Sequence, residues 1–532
     1  MTRWQHVNGI YQIYPRSFKD ANGDGVGDLR GIIQKLDYIK GGKVSLGIDA
    51  IWISPFFTSP MADYGYDVSD YYDVDPTFGT LDDFKELLHE AHKRTIKVMI
   101  DYVPNHTSWA HPWFVESRRS KDSAKRNWYV WHDPKPDGSP PNNWLSVFGG
   151  SAWEFDEATG QYYLHSFLKE QPDLNWDNPD VRSAMTDVLD FWLSLGVDGI
   201  RADAVRWLSK DLTLLEDNPP NPNYKEGDDP YSSQLTTRSR YGDSLYEYLR
   251  QIGGTVAKYP DRIILFEDYI DPQMNREAQY INMYSVYPKV AAPFNVEGTL
   301  TQYSAAAFRA FIDNFEELSG GDLRPFYCFG NHDQPRLATR VGEEGAKLIA
   351  MLQLTLPGIP VIYYGDELGM HNVQIPPQAV RDPFEHNVPG LGRDPERTPM
   401  QWSDQANGGF STITPWLPLP HDYTDYSVAR EISDPYSSLN LYRTLLKLRK
   451  NKALHTGHYG YWQGENEHVF GFTRRIEDEE FLIVLNMSDK QAKAKNVDGA
   501  VIYSTHSSVA WAEGNIIALE PNQGVILRRH IP

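Results

Sequence analysis

Short runs of apolar residues recur along the chain, and longer stretches with helical periodicity separate many of them. Several of the runs are almost wholly apolar, as expected of parallel β-strands buried on both faces. The intervening helical pattern is clearest over 81–94, 181–195 and 244–258. This alternation predicts an α/β fold, and eight runs favour a (β/α)₈ TIM barrel, with an open doubly wound sheet as the alternative. The runs cover 9–18, 48–57, 96–103, 197–204, 262–268, 292–296, 325–330 and 359–364.

Two segments depart from this alternation. The stretch 106–175 is rich in Trp, Pro, Gly and Asn, with a strand-like piece at 161–167, and it is too long for a structureless loop. We therefore expect a small inserted domain after strand three. Beyond residue 452 the pattern changes to short alternating runs, which predict a C-terminal antiparallel β-sandwich. The predicted boundaries are 1–105 and 176–452 for the two parts of the barrel, 106–175 for the insertion and 453–532 for the sandwich.

Charge and composition narrow the partners and the compartment. The net charge of −21 argues against nucleic acid or an anionic membrane, because both require clustered Lys and Arg. The single cysteine, Cys328, permits no intrachain disulfide, and the N-terminal residues lack the pattern of a secretory signal. The apolar stretch 348–364 is interrupted by Pro357, Gly358 and Pro360, which predicts a buried helix, a turn and a buried strand. We expect a cytoplasmic protein, monomeric or homodimeric.

Reactive side chains follow four of the predicted strands at the point where each strand ends. In a barrel, chemistry gathers at the C-terminal ends of the strands. A single carboxylate there could be a cap or a structural ion pair, whereas carboxylates at four strand ends indicate a functional site. These strand ends contribute Asp101 with Asn105 and His106, Arg201 with Asp203, Glu267 with Asp268, and Asn331 with His332 and Asp333.

Such a cluster suits the cleavage of an acetal. One carboxylate attacks the anomeric carbon, while a second gives its proton to the leaving oxygen. A third can hold substrate hydroxyls and stabilise the positive charge of the transition state. Arg201 lies two residues before Asp203, on the same face of the strand, and would keep that carboxylate ionised. His106 and His332 can donate hydrogen bonds to sugar hydroxyls.

These segments resemble a known family. DYVPNH (101–106), GIRADAV (199–205), the strand ending at Glu267 and FGNHD (329–333) are similar to the four signature regions of the α-amylase superfamily, glycoside hydrolase family 13. Five further segments resemble its α-glucosidase and oligo-1,6-glucosidase branch, namely YQIYPRSF (11–18), DYGYD (63–67), QPDLN (171–175), IYYGDE (362–367) and RTPMQW (397–402). One departure is Phe266, where the family usually has Gly; Glu297 is a rival acid but follows a segment that resembles the sixth strand.

The resemblance implies a role for each matching residue. Asp203 would be the nucleophile that forms a β-glucosyl-enzyme, Glu267 the acid/base, and Asp333 the residue that binds the 2- and 3-hydroxyls. Tyr66 would stack under the glucose ring, while Asp63 and Arg393 would close the far side of the pocket and make the enzyme exo-acting. Arg397 would have a structural role. The implied glucose pocket consists of Asp63, Tyr66, His106, Phe148, Phe167, Arg201, His332 and Arg393.

The residue after the nucleophile bears on linkage specificity in this branch. Members specific for α-1,6 linkages tend to carry Val there, and members that prefer α-1,4 linkages carry Ala or Thr. Ala204 therefore favours α-1,4 linkages in small oligosaccharide substrates such as maltose-like sugars, sucrose or aryl glucosides. The expected activity is hydrolysis with some transglucosylation. The alternatives are an oligo-1,6-glucosidase, and a sucrose isomerase or glucosyltransferase of the same family.

Two other classes of protein are less consistent with the sequence. The heavy chains of amino-acid transporters carry a glucosidase-like domain, but they span the membrane and generally lack a complete catalytic set. A dinucleotide enzyme would need a G-x-G-x-x-G turn after a strand. Gly23, Gly25 and Gly27 are instead interleaved with acidic residues, which would repel a pyrophosphate.

A loop after the first strand alternates oxygen-bearing residues in the manner of a calcium site. It consists of Asp20, Asn22, Asp24, Val26 and Asp28. It is not a full EF-hand, because the twelfth position is Gly31, and Asp and Asn also cap turns without a metal. The resemblance implies a structural Ca²⁺ at this loop, with Mg²⁺ as the alternative.

Overall fold

Eight parallel strands close into a barrel in the computed structural model, which describes residues 3–269, 282–321, 323–512 and 515–530. The first strand pairs with both the second and the last, so that Ile10 lies opposite both Ala50 and Val361. The TIM barrel is confirmed, and the open sheet is wrong. The barrel strands are Ile10–Ile13, Ala50–Ile53, Lys97–Tyr102, Gly199–Ala202, Ile263–Asp268, Ala291–Asn295, Phe326–Cys328 and Ile359–Tyr363.

Alternate residues of these strands enter two separate apolar clusters. Ile10, Trp52 and Met99 belong to a cluster inside the barrel, whereas Ile51 and Val98 belong to the layer between barrel and helices. Burial on both faces is the reason that the strands appear as continuous apolar runs in the sequence. The first strand is shorter than the run 9–18, because Pro15 begins the helix Pro15–Phe18.

The longer helices surround the barrel, and local signals set their ends. Leu81–Lys93 begins with a capping box between Thr80 and Asp83, and Pro179–Leu195 ends at Gly196, whose φ is 111°. The other long helices are Leu29–Ile39, Leu245–Val256, Ala305–Ser319, Glu343–Thr355 and Ser438–Leu448.

Shorter helical segments lie mainly in the loops. The short α-helices are Pro112–Ser117, Leu337–Val341, Pro383–Asn387, Val428–Glu431 and Lys452–Thr456. The 3₁₀ segments are Arg3–His6, Arg126–Trp128, Val205–Trp207, Pro230–Ser233, Glu297–Thr299, Asp366–Leu368, Pro377–Ala379, Asp394–Glu396 and Ala406–Gly409. Several of them follow a barrel strand almost directly, and they fix the loops that surround the site.

The segment after the third barrel strand builds its own small antiparallel sheet. Gln161–Leu164 is the central strand, between Trp131–His132 and Trp153–Asp156. A β-bridge between His106 and Asp173 joins the two ends of this insertion at the barrel. A separate two-stranded sheet, Phe57–Thr58 with Asp70–Val74, follows the second barrel strand.

The C-terminal region is an antiparallel sandwich, as predicted. Its five-stranded sheet contains His458–Tyr461, Val469–Ile476, Glu479–Asn486, Gly524–His530 and Ala500–Ser504 in that spatial order. Its three-stranded sheet contains Ala492–Ala494, Ile516–Leu519 and Ala510–Ala512, with Ile516–Leu519 in the centre. Leu482 and Leu527 from the first sheet pack in one apolar cluster with Ala494 and Ile517 from the second. The exact domain boundaries stay predictions.

The helix Glu343–Thr355 is covered by barrel and sandwich together. From Leu348 to its end every residue is buried. A Cβ placed on Gly524 of the sandwich would lie only 2.7 Å from Sδ of Met351, so the contact tolerates no larger side chain. Arg474 of the sandwich, itself fully buried, donates a hydrogen bond of 2.6 Å to the carbonyl of Thr355.

The apolar stretch 348–364 forms the end of this helix, a turn and the last barrel strand, Ile359–Tyr363, as its prolines and glycine predict. Across the described ranges of the chain, no helix combines the length and the hydrophobicity that crossing a bilayer would require.

Candidate active site

A cavity of about 370 Å³ opens at the C-terminal ends of the barrel strands. The three carboxylates predicted to be catalytic all line it. So do seven of the eight residues predicted for the glucose pocket; the exception is Arg201, which is buried beneath the cavity. The lining comprises Asp63, Tyr66, His106, Val147, Phe148, Phe167, Asp203, Ala204, Arg206, Trp207, Asp229, Tyr231, Arg240, Glu267, Tyr269, His332, Asp333, Gln334, Phe384 and Arg393.

Arg201 organises one half of the site by holding three carboxylates at once. Its Nη1 atom lies 2.6 Å from Oδ1 of Asp101 and 2.8 Å from Oδ1 of Asp203. Its Nη2 atom lies 2.6 Å from Oε1 of Glu267. The planar fork of a guanidinium therefore brings Asp203 and Glu267, which are 64 positions apart in sequence, into one cluster. We call Asp101, Arg201, Asp203 and Glu267 the acid half.

The acid half contains more carboxylates than cations, and this shifts its protonation. Burial and the neighbouring carboxylates raise the pKa of Asp203 well above its ordinary value, against the lowering effect of Arg201. Burial likewise raises the pKa of Asp101 to about 6, although Arg201 opposes it. With three acids around one guanidinium, the acid half favours retention of a proton near neutral pH. Such a proton is what an acid catalyst requires.

The backbone turns sharply directly after Asp203. Ala204 has a φ of 48° and a ψ of 36°, in the left-handed region that residues other than Gly adopt uncommonly. In this conformation the amide of Ala204 donates a hydrogen bond of 3.0 Å to Oε2 of Glu267. The amide of Asp203 donates to the carbonyl of Tyr102 at 2.8 Å. The turn thus ends the fourth strand and fixes both carboxylates at the cavity wall.

The opposite half of the site has the reverse charge balance. Oδ1 of Asp333 lies 3.2 Å from Nη1 of Arg393 and 3.0 Å from Nη2 of Arg397. Burial alone would raise the pKa of Asp333, but His332 and the two guanidiniums hold it far below its ordinary value. Asp333 is therefore ionised at any pH at which the protein works. We call Asp333, Arg393 and Arg397 the cationic half.

Arg393 also closes the far end of the cavity. Its Nη2 atom lies 2.9 Å from Oδ1 of Asp63, and its Nε and Nη2 atoms donate to the two carboxylate oxygens of Asp382, each at 2.8 Å. The bidentate pair with Asp382 fixes the orientation of the guanidinium. Asp63 and Arg393 therefore present a fixed, paired set of charges to the cavity.

The two predicted histidines lie in the cavity wall in their neutral form. Burial lowers the pKa of His106 to about 4 and that of His332 to about 3. A neutral imidazole has one donating and one accepting nitrogen, so each ring presents a defined polarity to a sugar hydroxyl.

Aromatic rings form a continuous wall on the side of the inserted segment. The ring of Phe148 lies 4.9 Å from that of Phe384 and 5.9 Å from that of Phe167. Phe167 in turn lies 5.0 Å from Trp207. Tilted and edge-on rings of this kind present apolar surface, which suits the carbon face of a sugar.

Sequence reasoning did not assign a role to several residues of this site. Asp101 was noted at a strand end, yet its place under Arg201 depends on the pairing of the third and fourth strands. Trp207 follows Asp203 by four positions and could have been found from that spacing. Phe384 lies in the short helix Pro383–Asn387 and Asp382 caps it, after the last barrel strand, where no motif marked them. Arg397, expected to be structural, contacts Asp333 directly.

The loop predicted to bind calcium is closed by its own hydrogen bonds. Asp20 accepts from the amides of Gly23 and Gly25, at 2.6 and 2.9 Å, and Asp28 accepts from the amide of Gly31 at 2.6 Å. No group of three or more Asp, Glu, His or Cys side chains converges as a ready metal site in the residues the structure covers. The donor set of this loop is nevertheless all oxygen, which fits Ca²⁺ or Mg²⁺ in chemistry.

A parallel barrel with paired carboxylates at the floor of a sugar-sized cavity defines a glycoside hydrolase. The family model for the α-amylase catalytic domain matches residues 12–457, and the chain belongs to that family, glycoside hydrolase family 13. Its relatives place it in the branch of α-glucosidases and oligo-1,6-glucosidases. The prediction of a family 13 enzyme is confirmed, and the transporter-like and dinucleotide alternatives are wrong.

Three similar proteins illustrate the range of the branch. The oligo-1,6-glucosidase of Parageobacillus thermoglucosidasius is 38% identical over 546 residues, which cover 94% of this chain and 93% of that protein. A solved α-glucosyl transfer enzyme is 39% identical with a TM-score of 0.90, covering 99% of both chains. The trehalulose synthase of Pseudomonas mesoacidophila MX-45 is 37% identical with a TM-score of 0.88, again covering 99% of both.

Proposed function

We propose that this enzyme is an exo-acting, retaining α-glucosidase that prefers α-1,4 linkages in short oligosaccharides. The observation that carries the proposal is the single guanidinium of Arg201, which holds Asp203 and Glu267 together at the floor of the cavity. Two carboxylates bound to one guanidinium lie close together, which supports the short separation, roughly 5–5.5 Å, of a retaining enzyme.

The reaction then proceeds in two balanced steps. Asp203 attacks the anomeric carbon and forms a β-glucosyl ester, while Glu267 gives its proton to the departing glycosidic oxygen. In the second step Glu267 takes a proton from water, whose oxygen attacks the anomeric carbon and breaks the ester to Asp203. Two inversions give net retention, and both carboxylates return to their starting protonation.

The cationic half serves binding and the transition state. Asp333 remains a carboxylate and can accept hydrogen bonds from two adjacent sugar hydroxyls, strengthening as the ring gains positive charge. Asp63 and Arg393 form an ion pair at the closed end, where they can hold the 4- and 6-hydroxyls of a terminal glucose. A closed end limits cleavage to the terminal residue.

Ala204 supports the proposed preference for α-1,4 linkages. Its methyl group lines the cavity immediately beside the nucleophile, and a larger side chain would narrow the space for the leaving sugar. An α-1,6 preference or isomerisation of sucrose is the second candidate, supported by the similarity to the oligo-1,6-glucosidase and the trehalulose synthase.

One panel of substrates tests this function. Maltose, isomaltose, sucrose, trehalose and maltotriose are each incubated with the enzyme, and early products are identified by proton NMR. We expect maltose to be cleaved faster than isomaltose, with α-glucose as the first anomer released. β-Glucose as the first anomer would contradict retention, and a new disaccharide from sucrose would favour the isomerase alternative.

We further propose a structural Ca²⁺, or Mg²⁺, held by Asp20, Asn22, Asp24, the carbonyl of Val26 and Asp28. The loop lies after the first barrel strand and contacts Ser411 through Asp20, at 2.6 Å, so an ion there would tie two distant loops together. Cytoplasmic location and a monomeric or homodimeric state also remain predictions.

A further inference from the structure

Gln12 of the first barrel strand reaches the active site from inside the barrel. It follows Ile10 by two positions, and its side chain shares the inward face of that strand. It is fully buried, and its Nε2 atom lies 2.9 Å from Nδ1 of His332 and 3.3 Å from Oγ of Ser54. Burying a polar amide costs free energy unless it forms hydrogen bonds, so its contacts with His332 and Ser54 are needed to offset that cost.

The contact with Gln12 decides which nitrogen of His332 carries the proton. An amide Nε2 can only donate, so Nδ1 of the imidazole must accept, and the proton of the neutral ring then lies on Nε2. On the other side of the ring, Nε2 lies 2.7 Å from the hydroxyl of Tyr66 and 3.4 Å from Oδ2 of Asp333. Asp333 accepts only, which again requires a proton on Nε2.

The reverse arrangement fails on the same distances. With the amide of Gln12 turned round, its oxygen would require the proton on Nδ1, and the lone pair of Nε2 would then face the carboxylate of Asp333. Nε2 would then also accept the hydroxyl proton of Tyr66. In the first arrangement that hydroxyl instead donates to Oδ2 of Asp101, at 3.4 Å. One tautomer of His332 satisfies both carboxylates, and the other satisfies neither.

We propose that Gln12 is a positioning residue that holds His332 with its proton on Nε2, where it is donated to the hydroxyl of Tyr66 and faces Asp333, the residue proposed to bind the sugar. The inference rests on the proposed function, because it assigns a purpose to that proton. Hydrogen bonds run from Gln12 through His332 to Tyr66 and on to Asp101, so the same amide also orders the hydroxyl of Tyr66 toward the acid half.

The charged surroundings of His332 keep the ring neutral. Asp333 follows it in sequence, Arg397 donates to its carbonyl at 2.8 Å, and the ring of Tyr14 stacks on it at 5.7 Å. Trp52 approaches edge-on at 6.3 Å, and the ring also feels the charges of Arg201, on the fourth barrel strand, and of Arg393. Burial and these cations outweigh Asp333 and lower the pKa of His332 to about 3. A neutral ring has two tautomers, so a positioning residue is needed.

The direct test is the tautomer in the unmodified enzyme. Nitrogen-15 NMR of histidine-labelled protein distinguishes a protonated from an unprotonated ring nitrogen, and the spectrum of His332→Gln identifies the signals of His332 among the 16 histidines. We expect a protonated Nε2 and an unprotonated Nδ1 between pH 6 and 8. A proton on Nδ1 overturns the proposal, whatever the activity of any variant.

Two substitutions of Gln12 test the consequence. Oε1 of Gln12 has no hydrogen-bond partner among the described residues, so Gln12→Met removes only the donated bonds. We expect kcat/KM to fall roughly 10- to 100-fold, the effect of one hydrogen bond to a charged or reacting group. Ser54→Ala is the matched control, because it removes the other partner of the same amide, and it should leave kcat/KM within about twofold. Unchanged kcat/KM in Gln12→Met contradicts the proposal.

Gln12→Glu adds a second measurement, the pH profile of activity, which a change in packing alone would not alter. A carboxylate accepts from Nδ1–H, so Nε2 keeps a proton only when the ring is a cation, and the carboxylate raises the pKa of His332. Activity should then fall as pH rises through that raised pKa. The pH profile of the unmodified enzyme should lack this decrease. An unshifted pH profile contradicts the proposal. If the Gln12 variants contradict these predictions while Asp203→Asn still abolishes turnover, the proposed function stands and only the role of Gln12 is refuted.

Discussion

The acid half and the cationic half line one cavity and differ in the charges that surround their carboxylates. In the acid half, three carboxylates share the guanidinium of Arg201. In the cationic half, Asp333 contacts two guanidiniums. Arg393 also pairs with Asp63 and Asp382, whereas Arg397 contacts no other carboxylate among the described ion pairs. An excess of acids favours retention of a proton, and an excess of cations keeps a carboxylate ionised. The charge balance therefore distinguishes the cluster that can hold an exchangeable proton from the carboxylate that is proposed only to bind.

The largest effect is expected from Asp203→Asn, which removes the nucleophile and leaves the cationic half intact. The amide is close in shape to the carboxylate but cannot form a stable ester, so we expect kcat on every substrate to fall roughly 10⁴-fold or more. Steady-state kinetics with maltose measures the loss. Asp187→Asn, an exposed position on the helix Pro179–Leu195, is the control for loss of one charge. Full activity in Asp203→Asn would show that another group is the nucleophile.

The second largest effect distinguishes the acid half from the cationic half by the pH dependence of the free energy of unfolding. Because the pKa of Asp101 is raised to about 6, its contribution to stability is complete below its unfolded value of 3.8 and is lost as pH rises through 6. Raising the pH from 4.5 to 8 should therefore change the difference in free energy of unfolding between Asp101→Asn and the parent protein by about 2 kcal/mol, in favour of the variant. Denaturant unfolding at both pH values gives this difference.

Asp333→Asn is the matched comparison for that experiment. The pKa of Asp333 is lowered, so its contribution is present above the unfolded value and is lost only as pH falls well below it. The free energy of unfolding of Asp333→Asn should therefore differ from that of the parent protein by the same amount at pH 4.5 and at pH 8. Equal slopes for the two variants would remove the distinction between the halves.

A smaller effect concerns the turn at Ala204, directly after Asp203 in the acid half. Ala204→Val should raise the rate on isomaltose relative to maltose by several-fold, because Val places two methyl groups beside the leaving sugar, whereas Thr would place a hydroxyl there. Valine is also strained in the left-handed region, so some stability is lost. Ala204→Thr has the same shape and the same strain, and it should keep the maltose preference. A ratio that is unchanged in Ala204→Val, or changed equally by Thr, would refute this interpretation.

The smallest effect lies outside both halves, at the loop proposed to hold an ion. Chelation should lower the melting temperature by a few degrees without changing kcat/KM at 25 °C, because the ion stabilises the fold and takes no part in proton exchange. Adding back Ca²⁺ or Mg²⁺ separately identifies the ion. Asp20→Asn should abolish the response, and an unchanged melting temperature in the parent protein would rule out the ion.

The sequence predicted the barrel and most of the cavity lining because both depend on local pattern. Apolar runs marked the strands, and strand ends placed Asp203, Glu267 and Asp333 in one cavity. What it could not predict depends on contacts across the barrel. The link from Gln12 to His332 joins positions 320 apart, and the three-way sharing of Arg201 depends on which strands are neighbours. Asp382, which fixes Arg393, lies on a loop whose course no periodicity describes.

The buried helix Glu343–Thr355 has a consequence for any attempt to shorten or recombine this enzyme. Removing the C-terminal sandwich would leave an apolar helix surface in water and the carbonyl of Thr355 without the guanidinium that now satisfies it. The same helix leads directly into the last barrel strand, so damage there would spread to the loop that carries Arg393. Exchange of the sandwich between relatives should therefore succeed only when this helix travels with it.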